Sequence, residues 1–597
     1  MTVIPEPKGK LDALANGPED EICDWDAVDW RSVEDDVRRL RQRIFTASQA
    51  GDLKKVRSLQ KLMLRSRSNA LVSVRRVAEV NAGRVTAGVD GRTALIASQK
   101  AELAAWVQRR CGPWSPKPVK RVYIPKPDGR RRPLGIPVIR DRALQAVALN
   151  ALEPEWEARF EPRSYGFRPG RGCHDAIEAI FLVGKGRTPG RTWVLDADLA
   201  AAFDRIDHSH LLTALGTFPA RGLVAQWLKA GVMEDGRFAP AHEGTPQGGV
   251  ISPALLNVAL HGMEQAAGVR LHTGGTHAGQ TKPGSPVLIR YADDLVAFAY
   301  SREHAQQVKA QLAAWLAPRG LVFNEDKTRI VRLDEGFDFL GYTVRHQSGK
   351  LLIKPSKAAV LRLRKRLSAE VKALNGANAE AVVSKLNPII RGWAAYYRNA
   401  VSSTTFSALD NYVWHLTYRW AVRTHPNKPK RWIANRYFGM FHPVRKDRWI
   451  FGDRTSGFYL QKFAWTKIVR HHLVPGAASP DDPALAEYWA RRRHRHRPPL
   501  ANSTLRLLTA QHGRCPRCGA LLLHAEDEPQ SPDQWQQWLT ATRKAIRKNA
   551  IIAATGTGPP DEPTAAQLQH ANCSPRAATK TRRNPELLPV GKPVGLA

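Results

Sequence analysis

Cysteine is scarce in this chain, six among 597 residues, and Cys23, Cys111 and Cys173 have no partner by spacing, so they read as ordinary thiols. No run of about 18 apolar residues occurs, which excludes a membrane-spanning helix as the organising element. The amino terminus, MTVIPEPKGKLDALANGPEDE, contains acids and lacks an apolar core, which argues against a secretory signal and for a cytoplasmic protein. Acidic residues are also in deficit. Against 54 Asp and Glu stand 91 Lys and Arg, giving a net charge of +37 and a pI near 10.4. Such a surface attracts a large polyanion, and a phosphate backbone is the expected partner. The length exceeds what one hydrophobic core supports, so several domains are expected.

What the chain does contain is the tetrapeptide Tyr291-Ala-Asp-Asp294 between the apolar runs VLIRY and LVAFAY. Adjacent carboxylates on the tight turn of a β-hairpin can hold two divalent cations, the arrangement used for phosphoryl transfer to a nucleic-acid 3′-hydroxyl. Taken alone the string equally suits a solvated acidic turn. A third carboxylate, Asp198, ends the apolar strand TWVLDADL (192–199), and Phe203 follows five residues later, where its ring could sit under the sugar of an incoming nucleotide as a steric gate. The neighbouring Asp196, Asp204 and Asp207 read as structural or helix-capping residues. Between the acidic elements, the Gly- and Pro-rich segment GTPQGGVISPALLN (244–257) leads into an apolar helix, so its backbone can approach an anionic ligand closely.

In this order the segments resemble those of group II intron-encoded reverse transcriptases, also called intron maturases. NAGRVTAGVDG (81–91) resembles the segment before the fingers, VYIPKPDGRRRPLGIP (122–137) the first fingers motif and SYGFRPGR (164–171) the second. Residues 198–207 resemble the first palm motif, 244–257 the template- and nucleotide-binding motif, 291–294 the palm hairpin, and GLVFNEDKT (320–328) with FLGY (339–342) the last palm elements. The resemblance implies an α+β right-hand polymerase of fingers, palm and thumb, with a helical extension in front. It implies that Asp198, Asp293 and Asp294 hold two Mg²⁺ ions, that Lys126 and Arg132 contact the triphosphate, and that Gln247 borders the nucleotide pocket beside Lys327. Arg130 and Arg131 remain alternatives to Arg132.

The remaining organisation follows from pattern. Residues 1–24 read as disordered and 25–117 as a helical extension, with apolar residues at helical spacing from Val37 to Met63. Fingers and palm fill 118–350, including a helix Arg140–Leu152 ended by Pro154. Helices at 358–372, 379–398 and 406–423 lie in 351–440, which resembles the family's thumb-like maturase domain, or domain X. Its stretch LNPIIRGWAAYYR (386–398) mixes aromatics with arginine. Stacking on RNA bases is one reading of Trp393, Tyr396, Tyr397 and Trp414, and packing of a helical core is the other. The basic segment 441–505, reaching RRRHRHR (491–497), is a DNA-binding region by resemblance and a solvated linker by composition.

The final portion, 506–597, carries Cys515-Pro-Arg-Cys518 and His570-Ala-Asn-Cys573. Two such pairs suit a tetrahedral Zn²⁺ site of Cys515, Cys518, His570 and Cys573. The placement resembles the HNH endonuclease module of intron reverse transcriptases. Shortly after the knuckle only His524 stands, however, and Ser574 stands where the family has a histidine, which implies a zinc-stabilised remnant. The function implied is extension of a DNA primer on the intron RNA template from deoxynucleoside triphosphates. Binding of the group II intron RNA to assist splicing, and contact with target DNA, would accompany it. A splicing-only RNA-binding protein and a reverse transcriptase domesticated for host defence or CRISPR spacer capture are the alternatives.

Overall fold

The computed structural model describes residues 24–109, 114–125, 131–186, 190–495, 515, 522, 529–547, 551–555 and 566–570. The chain divides into two compact units. One comprises residues 1–172, 186–332 and 474–490; the other comprises 173–185, 333–473 and 491–597. Among the described residues no helix is long and apolar enough to cross a membrane.

The first unit is built around the helix Ile139–Glu157, which is buried on nearly every face, Asp141, Arg142 and Gln145 included. A helix so enclosed must satisfy its polar groups internally. Asp141 accepts from the indole nitrogens of Trp114 and Trp227 at 2.7 and 3.1 Å. The expected stop at Pro154 is corrected by the structure: the helix runs three residues past it. A proline inside a helix forfeits one hydrogen bond, at a cost of about 3 kcal/mol. The residues beyond it offset that, because Trp156 is buried and Glu157 pairs with Arg168 at 2.9 Å with both side chains fully buried.

Three helices, Trp30–Gln49, Leu53–Arg65 and Arg67–Arg75, precede this spine, and Asp29, Asp52 and Ser66 cap them. Their buried stripes follow the apolar spacing, with Val37, Ile44, Val56, Leu59 and Met63 inside. Buried amides fix the docking: Asn69 donates to the Val147 carbonyl and Gln60 to that of Ala151, each at 3.2 Å.

Two sheets complete the unit. Strands β1 (Val119–Pro125), β2 (Arg131–Ile136), β4 (Val232–Glu234) and β5 (Arg237–Ala239) form a ribbon in the order β2-β1-β4-β5. Strands β3 (Trp193–Asp198), β6 (Val287–Tyr291), β7 (Asp294–Ala299) and β8 (Arg329–Arg332) form an antiparallel sheet in the order β6-β7-β3-β8. The helix Arg302–Leu316, capped by Ser301, packs on this sheet through Ala305, Val308 and Leu312.

The second unit joins a three-stranded sheet, β9 (Phe337–Phe339), β10 (Tyr342–Gln347) and β11 (Lys350–Pro355), to helices Lys357–Ala373, Ala379–Tyr397 and Ser403–Thr424. The aromatics of 386–398 settle in its core. Trp393, Tyr396 and Tyr397 are buried, with Trp393 and Tyr397 rings 4.3 Å apart. Each such burial contributes about 2–3 kcal/mol. The hydroxyls of Tyr396 and Tyr397 donate to the Leu340 and Gly341 carbonyls at 3.0 and 3.2 Å, so the FLGY turn and the paired tyrosines form one device. A short hairpin, β12 (Phe438–Gly439) with β13 (Ile450–Phe451), follows the helices. Helix Pro532–Arg547 lies against Ala379–Tyr397 at Gly392, where an added Cβ would fall 2.7 Å from the Gln536 nitrogen and the Pro532 carbonyl.

Candidate active site

Three carboxylates, Asp198, Asp293 and Asp294, meet at one end of the sheet β6-β7-β3-β8 because of register. Asp198, the last residue of β3, is opposite Asp294, the first of β7, and Tyr291 pairs with Asp294 across a two-residue turn of Ala292 and Asp293. Ala292 takes a left-handed backbone, φ +58°, which a β-carbon disfavours. Packing over-determines it. Gly166 lies so close that a Cβ there would sit 2.3 Å from the Ala292 nitrogen, which explains the glycine in SYGFRPGR.

A buried arginine holds the turn from beneath. Arg290 donates to Asn257 Oδ1 at 2.9 Å, to the Ala292 carbonyl at 3.2 Å and to Ser164 Oγ at 2.6 Å. Asn257 in turn donates to the Gly166 carbonyl at 2.9 Å. Burial lowers the Arg290 pKa to about 10, so it stays charged at neutral pH. Sequence reasoning missed this brace, although its signal was present: an arginine inside the apolar run VLIRY needs buried partners.

The carboxylates raise one another. Burial, then the charges of Asp293 and Asp198, push Asp294 up to about 7, and burial and Asp198 raise Asp293. Lys327 partly offsets this; its ammonium hydrogen-bonds Asp198 Oδ2, which raises the lysine's own pKa. Among the described residues no three His, Cys, Asp or Glu side chains gather tightly enough to hold a metal ion as they stand. The donor set is nevertheless all carboxylate oxygen, only partly balanced by Lys327 and Arg132, and so fits a hard divalent cation.

Around the acids stand the other expected residues. Arg132 Nε donates to Gln247 Oε1 at 2.8 Å, and Gln247 Nε2 donates to Asp204 Oδ2 at 3.1 Å. Arg131 precedes Arg132 on β2 and so points to the opposite face; burial raises the Asp293 and Asp204 pKa values, and the Arg132 charge offsets part of that rise. Phe203 is buried, on the short helix Ala202–Arg205, its ring 6.0 Å edge-on from that of Phe167. Phe167, half exposed at φ +61°, is a neighbour that the sequence reading did not single out. The structural aspartates do what their type suggests. Asp207 Oδ1 caps the helix His208–Leu215 by accepting from His210, and Asp196 pairs with Arg329 at 3.3 Å. Lys126 and Arg130 lie outside the described residues.

Of the expected zinc ligands, Cys515 is buried and His570 ends the strand Ala566–His570. Cys518 and Cys573 lie outside the described residues, as do His524 and Ser574.

Three family models match the chain. That of the reverse transcriptase (RNA-dependent DNA polymerase) spans residues 124–344, that of the N-terminal domain of reverse transcriptase spans 25–106, and that of the group II intron maturase-specific domain spans 360–438. None of the three reaches 506–597, so the HNH-like module has no support from them. Protein YkfC of Escherichia coli (strain K12) is 36% identical over 303 residues, 46% of this chain and 79% of that protein. Group II intron-encoded protein LtrA of Lactococcus lactis subsp. cremoris is 29% identical over 321 residues, 44% of this chain. The match spans about half of LtrA's length, 53%. Maturase-like protein 1 of Euglena gracilis is 26% identical over 369 residues, 60% of this chain and 74% of that one. With a polymerase segment, its N-terminal partner and a maturase segment in that order, the chain belongs to the group II intron-encoded reverse transcriptase and maturase family.

Proposed function

We propose that the protein is the RNA-directed DNA polymerase of a mobile group II intron, extending a DNA primer on the intron RNA, and that it also binds that RNA to assist splicing. The observation that carries the polymerase reading is the convergence of Asp198, Asp293 and Asp294 at one sheet end, with Lys327 as their counter-charge. In this reading the three aspartates hold two Mg²⁺ ions, which would activate the primer 3′-hydroxyl and neutralise the triphosphate.

The chain's own residues do the rest. Arg132, now held by Gln247, turns to the triphosphate, joined by Lys126; Gln247 then borders the base-paired nucleotide. Phe203, backed by Phe167, lies under the sugar and selects against a 2′-hydroxyl by bulk. Lys327 pairs with Asp198 and leaves an ammonium beside the phosphates. Arg290, Asn257 and Ser164 position the hairpin without touching substrate.

The test is Mg²⁺-dependent deoxynucleotide incorporation on an RNA template with an annealed DNA primer, native protein against Asp293→Ala. Incorporation abolished by the substitution supports the reading. A folded native protein that binds intron RNA without incorporation would leave the splicing-only alternative. Incorporation by a chain encoded outside any intron would favour the domesticated one.

A further inference from the structure

The hairpin β12–β13 lies where the maturase match ends, at Phe438, and its connecting loop presents what a folded core does not spare. Trp449 is 56% exposed, Met440 65% and Val444 84%. The loop is not slack. Asp447 Oδ1 accepts from the Trp449 N–H at 2.9 Å, and Asp447 Oδ2 pairs with Lys462. His442 Nδ1 accepts the N–H groups of Val444 and Arg445, each at 3.1 Å. Burial and Arg445 hold the His442 pKa down, so the ring stays neutral and able to accept. One edge of the Trp449 indole packs on Trp414, 5.9 Å away at 83°, leaving the ring fixed and wet.

The electrostatics call for a polyanion. Between residues 425 and 473 stand eleven Lys and Arg against two Asp. The loop's single acid pairs with Lys462, and Arg445, Lys446 and Arg448 stand exposed on the same loop, Arg445 over the Trp465 ring at 5.3 Å. A rigid exposed indole beside cations matches a base stacked on a strand whose phosphates lie alongside. Duplex RNA offers no free base face at this scale.

We propose that this loop is a docking site for an unpaired RNA segment, with Trp449 stacking on one base and Lys446 and Arg448 contacting the flanking phosphates. The proposal rests on the RNA-binding part of the function above and names where unpaired nucleotides are read.

The experiment uses the full chain and fluorescence anisotropy. The probes are an unstructured RNA of about 12 nucleotides, the matching abasic ribose-phosphate strand, a hairpin duplex, and phosphatidylserine vesicles. Trp449→Ala is expected to weaken the unpaired RNA about 5- to 50-fold and the abasic strand less than about 2-fold, with Trp449→Phe retaining most of the affinity. Lys446→Ala with Arg448→Ala should weaken both strands alike and flatten the salt dependence. An unchanged preference for RNA over the abasic strand in Trp449→Ala, its melting temperature being native, overturns the proposal. So does loss of vesicle binding with RNA affinity intact, which would assign the loop to a lipid surface. Failure of the polymerase reading is distinct: incorporation would be absent while the Trp449 dependence persisted. Failure of the RNA-binding reading would show as no RNA affinity in the native protein.

Discussion

The YADD turn and the WAAYY helix are each the most conspicuous sequence feature of their own unit, yet the conspicuous residues do opposite things. In the first unit the carboxylates are gathered against their own repulsion, and Asp294 is pushed up to about 7. In the second unit, Trp393, Tyr396 and Tyr397 are buried, and the two tyrosines are hydrogen-bonded to the 340–341 turn. Like charges brought together raise the energy of a fold, so their convergence points to a ligand. Aromatics brought together lower it, so their convergence explains itself.

That contrast can be broken most sharply by removing one residue from each unit. Asp293→Ala should lower incorporation by more than about 10³-fold with the melting temperature unchanged or slightly raised, since one of three repelling acids is gone. Trp393→Ala should do the reverse, costing about 3–5 kcal/mol of stability by denaturant unfolding, while the folded fraction keeps its incorporation rate. If Trp393→Ala proves stable yet blind to RNA, the core assignment fails.

Gly166→Ala sits between the two extremes. Its Cβ would collide with the Ala292 backbone, so the turn must shift. An expected loss of about 10- to 100-fold in kcat, with near-native binding of primer and template, would show that the turn's position rather than its charge is at stake.

A smaller effect concerns pH. Glu264 is buried beside Glu161, and burial followed by that charge raises it from an ordinary 4.5 to about 7. The folded state therefore binds this proton more tightly than the unfolded chain. The associated stability is complete below about pH 4.5 and is lost as pH rises toward 7. Glu264→Gln should flatten the fall in melting temperature over that window and stabilise the protein at pH 8 by about 1–2 kcal/mol. Equal pH profiles for the two proteins would dismiss the effect. Smallest is the zinc reading of the tail. It calls for one Zn²⁺ per chain by metal analysis, lost in Cys515→Ser with Cys518→Ser, and for incorporation left intact.

Sequence alone made the palm legible because its signals are local: strand alternation, a two-residue turn, acids at strand ends, and Asp207 before a helix. The helices at 357–424 were legible from spacing for the same reason. What it did not reveal depends on contacts far apart in the chain. Arg290 meets Ser164 across 126 positions, Phe167 meets Phe203 through two separate motifs, and the helix through Pro154 is held by Arg168. For the aromatics of 386–398 residue type favoured the core, where Trp393, Tyr396 and Tyr397 are found, but it could not say which ring would be the exception, since both uses call for the same side chain.

The crossing at Gly392 bears on where this chain can be cut. Helix Pro532–Arg547 touches backbone there and buries Trp535 and Leu539. A shortened protein ending near residue 505 would strip the cover from the helix Ala379–Tyr397 and expose its apolar flank to solvent. A truncation series should therefore lose solubility when the end point moves back across residues 547–532, and tolerate cuts beyond them, whatever the last fifty residues do.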